Sequence, residues 1–220
     1  MPELESLQNG RQTLHHSLHL ELKRCVEAAA VKCAFQFDAG LGQAERSRRG
    51  IARTFQINQL FRGLTVLENV VLAIAERQGI ASAMFRPLSS YSEVTDEAME
   101  LLSNFDLNED ALRRIDELPY GRQRLVEIVI ALGQRPSVLL LDEPAAGIPS
   151  SESQHILDAA SALSSDITVL IIEHDMEIVF SIADYITVLV SGAVLTEGEP
   201  EAIAADERVR AVYLGEVDRG

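Results

Sequence analysis

The sequence predicts an α/β fold: a mostly parallel sheet flanked by helices, with a helical subdomain at about residues 65–120. Three observations carry this. Val138-Leu139-Leu140-Leu141 is a continuous apolar run, as expected of a strand buried on both faces. A second such run, Ile167 to Ile172, follows after one helix length, and strand–helix–strand with short links implies a parallel sheet. Between residues 65 and 134 the apolar positions instead keep helical spacing.

Taken in order, Leu14, Leu18, Leu22 and Val26 recur every four residues and suggest an amphipathic helix, with Gly40-Leu41-Gly42 as a break after it. Thr65 followed by Glu68 is a capping-box pattern that opens a helix running through Glu76. Pro87, Ser89 and Ser90 mark a loop. From Glu93, the positions Val94, Ala98, Leu101, Leu102 and Phe105 follow helical spacing. A mostly buried helix is expected from about Gln123, carrying Leu125, Val126, Ile128, Val129 and Leu132. Past the strand at 138–141 come a helix at 151–163, the strand at 167–172 and a helix starting near Asp175. Strand Ile186 to Val190 then turns at Ser191-Gly192 into strand Val194 to Glu197, a hairpin.

Acidic residues outnumber basic ones, 34 to 19, giving a net charge of −15. That charge repels phosphate backbones and anionic headgroups, so nucleic acid is not an expected partner. No apolar run approaches the ~18 residues of a membrane span, and the N-terminus has no basic-then-apolar leader pattern, which points to a cytoplasmic chain. Cys25 and Cys33 make neither a disulfide framework nor a zinc site, and His15, His16 and His19 lack partners at metal-binding spacing.

Four short stretches carry chemistry. Asp142 and Glu143 end the strand at 138–141, at the sheet edge where α/β ligand sites form. Asp142 there could hold Mg²⁺ through water and Glu143 could polarise an attacking water, or the two acids could cap the next helix. His174 ends the strand at 167–172, from where it can reach a phosphate or serve as a cap. Leu118-Pro119-Tyr120-Gly121-Arg122 opens the long buried helix, and a helix N-terminus presents free N–H groups to an anion. Gln56, in Arg53-Thr54-Phe55-Gln56, can hydrogen-bond a metal-bound water.

In this order and at these separations, Gln56, Gly121, Asp142 and His174 resemble the Q-loop, signature loop, Walker B strand and switch histidine of ABC ATPases. The stretches GIARTFQ, LTVLENV, LPYGRQRLVEI, LLLDEPAAG, IIEHDM and AVYLGE resemble the branched-chain amino acid transport type, over about residues 46–216. The resemblance implies a P-loop NTPase-like ABC ATPase domain at 46–220 behind an atypical segment 1–45. It implies ATP and Mg²⁺ as cofactors, with Asp142 and Gln56 serving the metal, Glu143 as general base and His174 as γ-phosphate sensor. Leu118, Pro119, Tyr120, Gly121 and Arg122 would contact ATP held by a second ABC ATPase subunit. Gln56 and the helical region after it would couple ATP state to transmembrane permease subunits, with the chain peripheral on the inner face of the cell membrane.

The sequence departs from the family pattern at several loops. The signature position usually held by Ser is Pro119, and the one usually held by Gln is Arg122, which removes a hydroxyl donor and adds a charge that favours phosphate; the loop Gly147-Ile148-Pro149-Ser150 lacks the Asp common in the superfamily. The phosphate loop G-x-x-x-x-G-K-[ST] is also absent: the lysines are Lys23 and Lys32, and neither follows a glycine. Losing about four charge-assisted hydrogen bonds at ~1.5 kcal/mol or more each removes ~6 kcal/mol, over ~10⁴-fold in affinity. The chain alone is therefore expected not to bind ATP at millimolar nucleotide, and to be unstable unless residues 12–34 cover the gap beside its central strands. Three functions follow from these readings: an importer's ATP-binding subunit, a catalytically inactive subunit that completes a sister's site, or a damaged-gene product lacking its own ATP site.

Overall fold

The computed structural model describes residues 19–23, 41–54, 60–80, 91–163 and 165–213. The strands are β1 (His19–Lys23), β2 (Ile51–Arg53), β3 (Val138–Asp142), β4 (Thr168–Glu173), β5 (Tyr185–Val190) and β6 (Ala193–Gly198). The helices are α1 (Gln43–Arg48), α2 (Val66–Arg77), α3 (Ser92–Ser103), α4 (Tyr120–Gly133), α5 (Ser150–Ser161), α6 (Met176–Ile182), α7 (Pro200–Ala205) and α8 (Glu207–Tyr213). The chain forms two compact units, residues 23–171 and residues 172–220 with 1–22, and the division falls inside β4.

In the unit of residues 23–171, β2 pairs parallel with β3 in the register Ile51↔Val138, Ala52↔Leu139, Arg53↔Leu140. The Thr168 N–H donates to the Ser137 carbonyl at 2.9 Å, and β4 is the neighbour of β3 on its other side. Leu139 and Leu141 are buried, while Val138 and Leu140 are half-buried, so β3 is sealed on one face and partly covered on the other.

The helical part of this unit is α2, α3 and α4. Thr65 starts α2 with the predicted box: its Oγ1 accepts from the Glu68 N–H at 3.2 Å, and Glu68 Oε2 accepts from the Thr65 N–H at 2.7 Å. Two of the orphan donors of a helix start are thereby satisfied. Val66, Val70 and Ile74 of α2 are fully buried, as are Ala98 and Leu102 of α3 and Val126 and Val129 of α4. Their spacings of three and four residues place them on one stripe of each helix. α4 begins at Tyr120, three residues before the expected start, because Pro119 at the N-cap presets the entering backbone and has no N–H to satisfy.

In the second unit, β5 and β6 are antiparallel with an irregularity between Val188 and Leu189. Ser191 and Gly192 both have positive φ, 52° and 79°, the backbone that a two-residue hairpin turn demands. Asp175 caps α6, its Oδ1 accepting from the N–H groups of Glu177 (2.9 Å) and Ile178 (3.4 Å). β1 lies between the end of β4 and β5. This corrects the helix expected around Leu18 and Leu22 for residues 19–23, which form a strand. A spacing of four residues satisfies the strand period of two as well as the helical period, and His19-Leu20-Glu21-Leu22-Lys23 alternates polar and apolar. The expected loop around Pro87, Ser89 and Ser90 lies outside the described residues.

Candidate functional site

β3 delivers Asp142 to its C-terminal end, with Glu143 next in the chain. The parallel register puts Arg53, the last residue of β2, level with Leu140. From there its guanidinium reaches along β3, and Arg53 Nη2 donates to Asp142 Oδ2 at 2.8 Å. Glu143 takes a left-handed backbone, φ 43°, which costs a non-glycine residue roughly 1–2 kcal/mol. The chain then turns through Ala146 N–H to Glu143 O (3.1 Å) and a left-handed Gly147, φ 73°.

That turn meets the start of α4: a Cβ on Gly147 would lie 3.8 Å from Tyr120 Cε1. Leu118 and Gly121 are buried, whereas Tyr120 is 42% exposed. The first i→i−4 bond of α4 is Gln123 N–H to Pro119 O, so the N–H groups of Tyr120, Gly121 and Arg122 form the open first turn. Arg122 does not extend toward that turn's anion position. Its Nε is ion-paired with the buried carboxylate of Asp110, and its Nη2 donates to Asp106 O at 2.6 Å. Asp110 also accepts from Arg113 Nη1 at 2.8 Å. One turn on, Arg124 stands 5.6 Å from the Tyr120 ring centroid and donates to Glu127 Oε2 at 2.8 Å, with both charged side chains buried.

In the other unit, His174 follows β4 and is exposed; its Nδ1 is 3.8 Å from Oε2 of Glu173, which is buried. Gln56 lies outside the described residues. The structure thus brings Asp142, Glu143 and Leu118–Arg122 into one unit, linked through Gly147 and Tyr120. Sequence reasoning did not single out Arg53 or Asp110 as site residues. A register between strands 89 positions apart leaves no local signal for the first, and the acid-rich turn before α4 was the only hint of the second.

The comparisons with known proteins decide what this arrangement belongs to. The family model described as ABC transporter matches residues 25–146. That described as branched-chain amino acid ATP-binding cassette transporter matches residues 193–219. The high-affinity branched-chain amino acid transport ATP-binding protein LivG of Escherichia coli is 38% identical over 186 residues, covering 80% of this chain and 72% of that protein.

The chain belongs to the ABC transporter ATP-binding family.

The family's BraF from Pseudomonas aeruginosa is likewise 38% identical, over 184 residues. Among solved structures, the ADP conformation of MJ1267, an ATP-binding cassette of an ABC transporter, superposes with a TM-score of 0.63 and 33% identity, over 79% of this chain and 71% of that one. The ABC family match begins at residue 25, ahead of residue 46, where the motif resemblance starts.

ABC ATP-binding subunits work on nucleotide, and the family implies Mg²⁺ beside it. Of the residues that would hold it, Asp142 stands at the end of β3, a carboxylate of the kind a hydrated Mg²⁺ takes, and Gln56 lies outside the described residues. The Asp142 carboxylate already carries a guanidinium at 2.8 Å. No group of three His, Cys, Asp or Glu side chains among the described residues could hold an ion. The first turn of α4 has N–H groups free of intrahelical bonds, as helix starts that receive anions do.

Proposed function

We propose that this chain is an ATP-binding subunit of an ABC importer for branched-chain or related amino acids, in which the start of α4 completes the nucleotide site of a partner ATPase. The observation that carries the importer reading is the 38% identity to LivG and BraF, continued by the branched-chain amino acid match at residues 193–219. The partner-completing role is supported by the start of α4, which is braced and open to an anion.

A dimeric mode of action is in keeping with the ATP-binding cassette MJ0796, 26% identical with a TM-score of 0.59, whose structure is a dimer bound to ADP and Pi. In that arrangement Leu118, Pro119, Tyr120 and Gly121 would face the partner's ATP. Arg122 would act indirectly, by fixing the first turn of α4. Glu143, His174, Asp142 and Gln56 would keep the roles that the family resemblance gives them. Phe61 and Leu112, 61% and 79% exposed, flank the start of α2 and offer an apolar contact to a transmembrane permease subunit. No helix among the described residues is long and apolar enough to cross a membrane, so attachment to its inner face would come through that partner.

The test mixes this chain with an ABC ATPase subunit that carries a phosphate loop, and measures ATP hydrolysis. Stimulation by the chain, abolished by Gly121→Asp, is the expected result. The carboxylate would sit where the partner's phosphates are received. No stimulation, or stimulation indifferent to Gly121→Asp, would sink the partner-completing role.

A further inference from the structure

We infer that the cleft where α1 meets the far ends of α2 and α4 binds a phosphorylated small molecule, gripped by Arg48, Arg77 and Arg135. The cleft encloses about 880 Å³, within the ~300–1,000 Å³ of small-molecule sites. The three arginines line it together with Ser47, and Glu76 is the acid among its lining residues. None of these arginines falls in the stretches that carry the family resemblance. Gly50, which also lines the cleft, precedes β2, whereas Asp142 ends the parallel strand β3. Gln134 and Arg135 likewise follow α4, a helix length from Tyr120. The cleft therefore lies at the opposite end of these elements from the residues of the proposed function, and its assignment does not rest on that function.

The cations here outnumber the acids within reach. Arg77 Nη2 donates to Glu97 Oε2 at 2.7 Å, and Arg135, left-handed at φ 50°, donates Nε to Glu97 Oε1 at 3.0 Å, so two guanidiniums share one carboxylate. That carboxylate does not satisfy both, because Arg77 Nη1 is buried with no hydrogen-bond partner among the described residues. Arg48 and Arg49 in turn share Glu45, each at 3.6 Å, longer than a good hydrogen bond. Counting every acid named, Arg48, Arg49, Arg77 and Arg135 face Glu45, Glu76 and Glu97, which leaves a positive excess in a chain of net charge −15. The chain's remaining negative charge is screened beyond about 8 Å at physiological ionic strength, so the local excess decides what enters. A terminal phosphate has three acceptor oxygens and can meet each cleft arginine with a separate one, which the two oxygens of a carboxylate cannot do.

The experiment titrates inorganic pyrophosphate into the full chain by calorimetry, without Mg²⁺ and at an ionic strength held constant with chloride. Wild type is expected to bind saturably within about 10 mM. Arg48→Gln and Arg135→Gln, whose arginine side chains are 75% and 71% exposed, should fold normally and bind about tenfold more weakly, each having lost one charge-assisted hydrogen bond. Glu76→Gln should bind about threefold more tightly, a gain that a damaged fold cannot produce. Three results overturn the inference: no saturable binding by wild type, Arg48→Gln and Arg135→Gln both binding as wild type does, or succinate, a dianion without phosphate, binding as tightly as pyrophosphate. None of the three bears on stimulation of a partner ATPase, so a failure here is distinguishable from a failure of the proposed function.

Discussion

The two ends of the 23–171 unit use the same chemistry, arginine on carboxylate, in opposite surroundings. At the start of α4, Arg124 and Glu127 are paired with only 3% and 7% of their side chains exposed, and Asp110 sits buried beneath Arg113 and Arg122. At the end of β3, Arg53 and Asp142 meet in water's reach. A buried pair binds its members to one geometry, because separating them strands charge in a medium that cannot solvate it. An exposed pair contributes roughly 0–1 kcal/mol and can exchange partners. The chain therefore has a fixed pair at the start of α4 and an exchangeable pair at the end of β3.

The largest expected effect tests the fixed end. Arg124→Ala removes the guanidinium that neutralises Glu127, and should lower the unfolding free energy by about 3–5 kcal/mol in urea denaturation. A loss under about 1 kcal/mol would mean that water reaches the pair and that the contrast is false. Asp110→Ala comes next, at about 2 kcal/mol, because its two arginines are partly exposed and recover solvation. That variant also releases Arg122, so stimulation of a partner ATPase should fall further than stability alone explains.

Smaller effects sharpen the frame that both ends share. Thr65→Ala removes one half of the capping box and should cost about 1 kcal/mol, visible as a lower denaturation midpoint with an unchanged slope. The smallest concerns Glu97, which ties Arg77 of α2 to Arg135 beyond α4. Burial raises its pKa, but the Arg77 hydrogen bond and charge, with Arg135 adding to them, outweigh burial and bring it below the ordinary 4.5. Since the folded state binds this proton more weakly than the unfolded chain, the contribution of Glu97 is complete above pH 4.5 and is lost as pH falls through the lowered value. Wild type and Glu97→Gln should accordingly differ in stability at pH 6 and converge in the acid limb; a gap that widens on acidification would reverse the sign.

What could be read in advance follows from how local each cause is. The Thr65–Glu68 box, the β5–β6 turn and the apolar run of β3 are written within a few residues, and each forms where the pattern put it. The strand at His19–Lys23 escaped because leucines four apart satisfy two periods at once, and the neighbouring strands, not the segment itself, choose between them. The start of α4 was misplaced by three residues because the apolar stripe begins at Leu125, while the start of the helix is fixed by Pro119. Asp142 was recognisable as the end of its strand, but its ion-pair partner was not. Arg53 stands 89 positions away and becomes a partner only once two parallel strands settle their register.

The crossing of α2 and α4 has a mechanical consequence. A methyl group on Gly133 would come within 3.3 Å of Ile74 Cγ1, the Gln134 amide donates to Ala73 O at 2.6 Å, and Glu97 bolts the far ends together through Arg77 and Arg135. Close-packed interiors transmit displacement instead of absorbing it. α4 therefore cannot rotate at its Tyr120 end without carrying α2 along, and α2 starts beside Phe61 and Leu112. The two helices thus move as one lever, joining the Tyr120 turn at one end to the exposed Phe61 and Leu112 at the other.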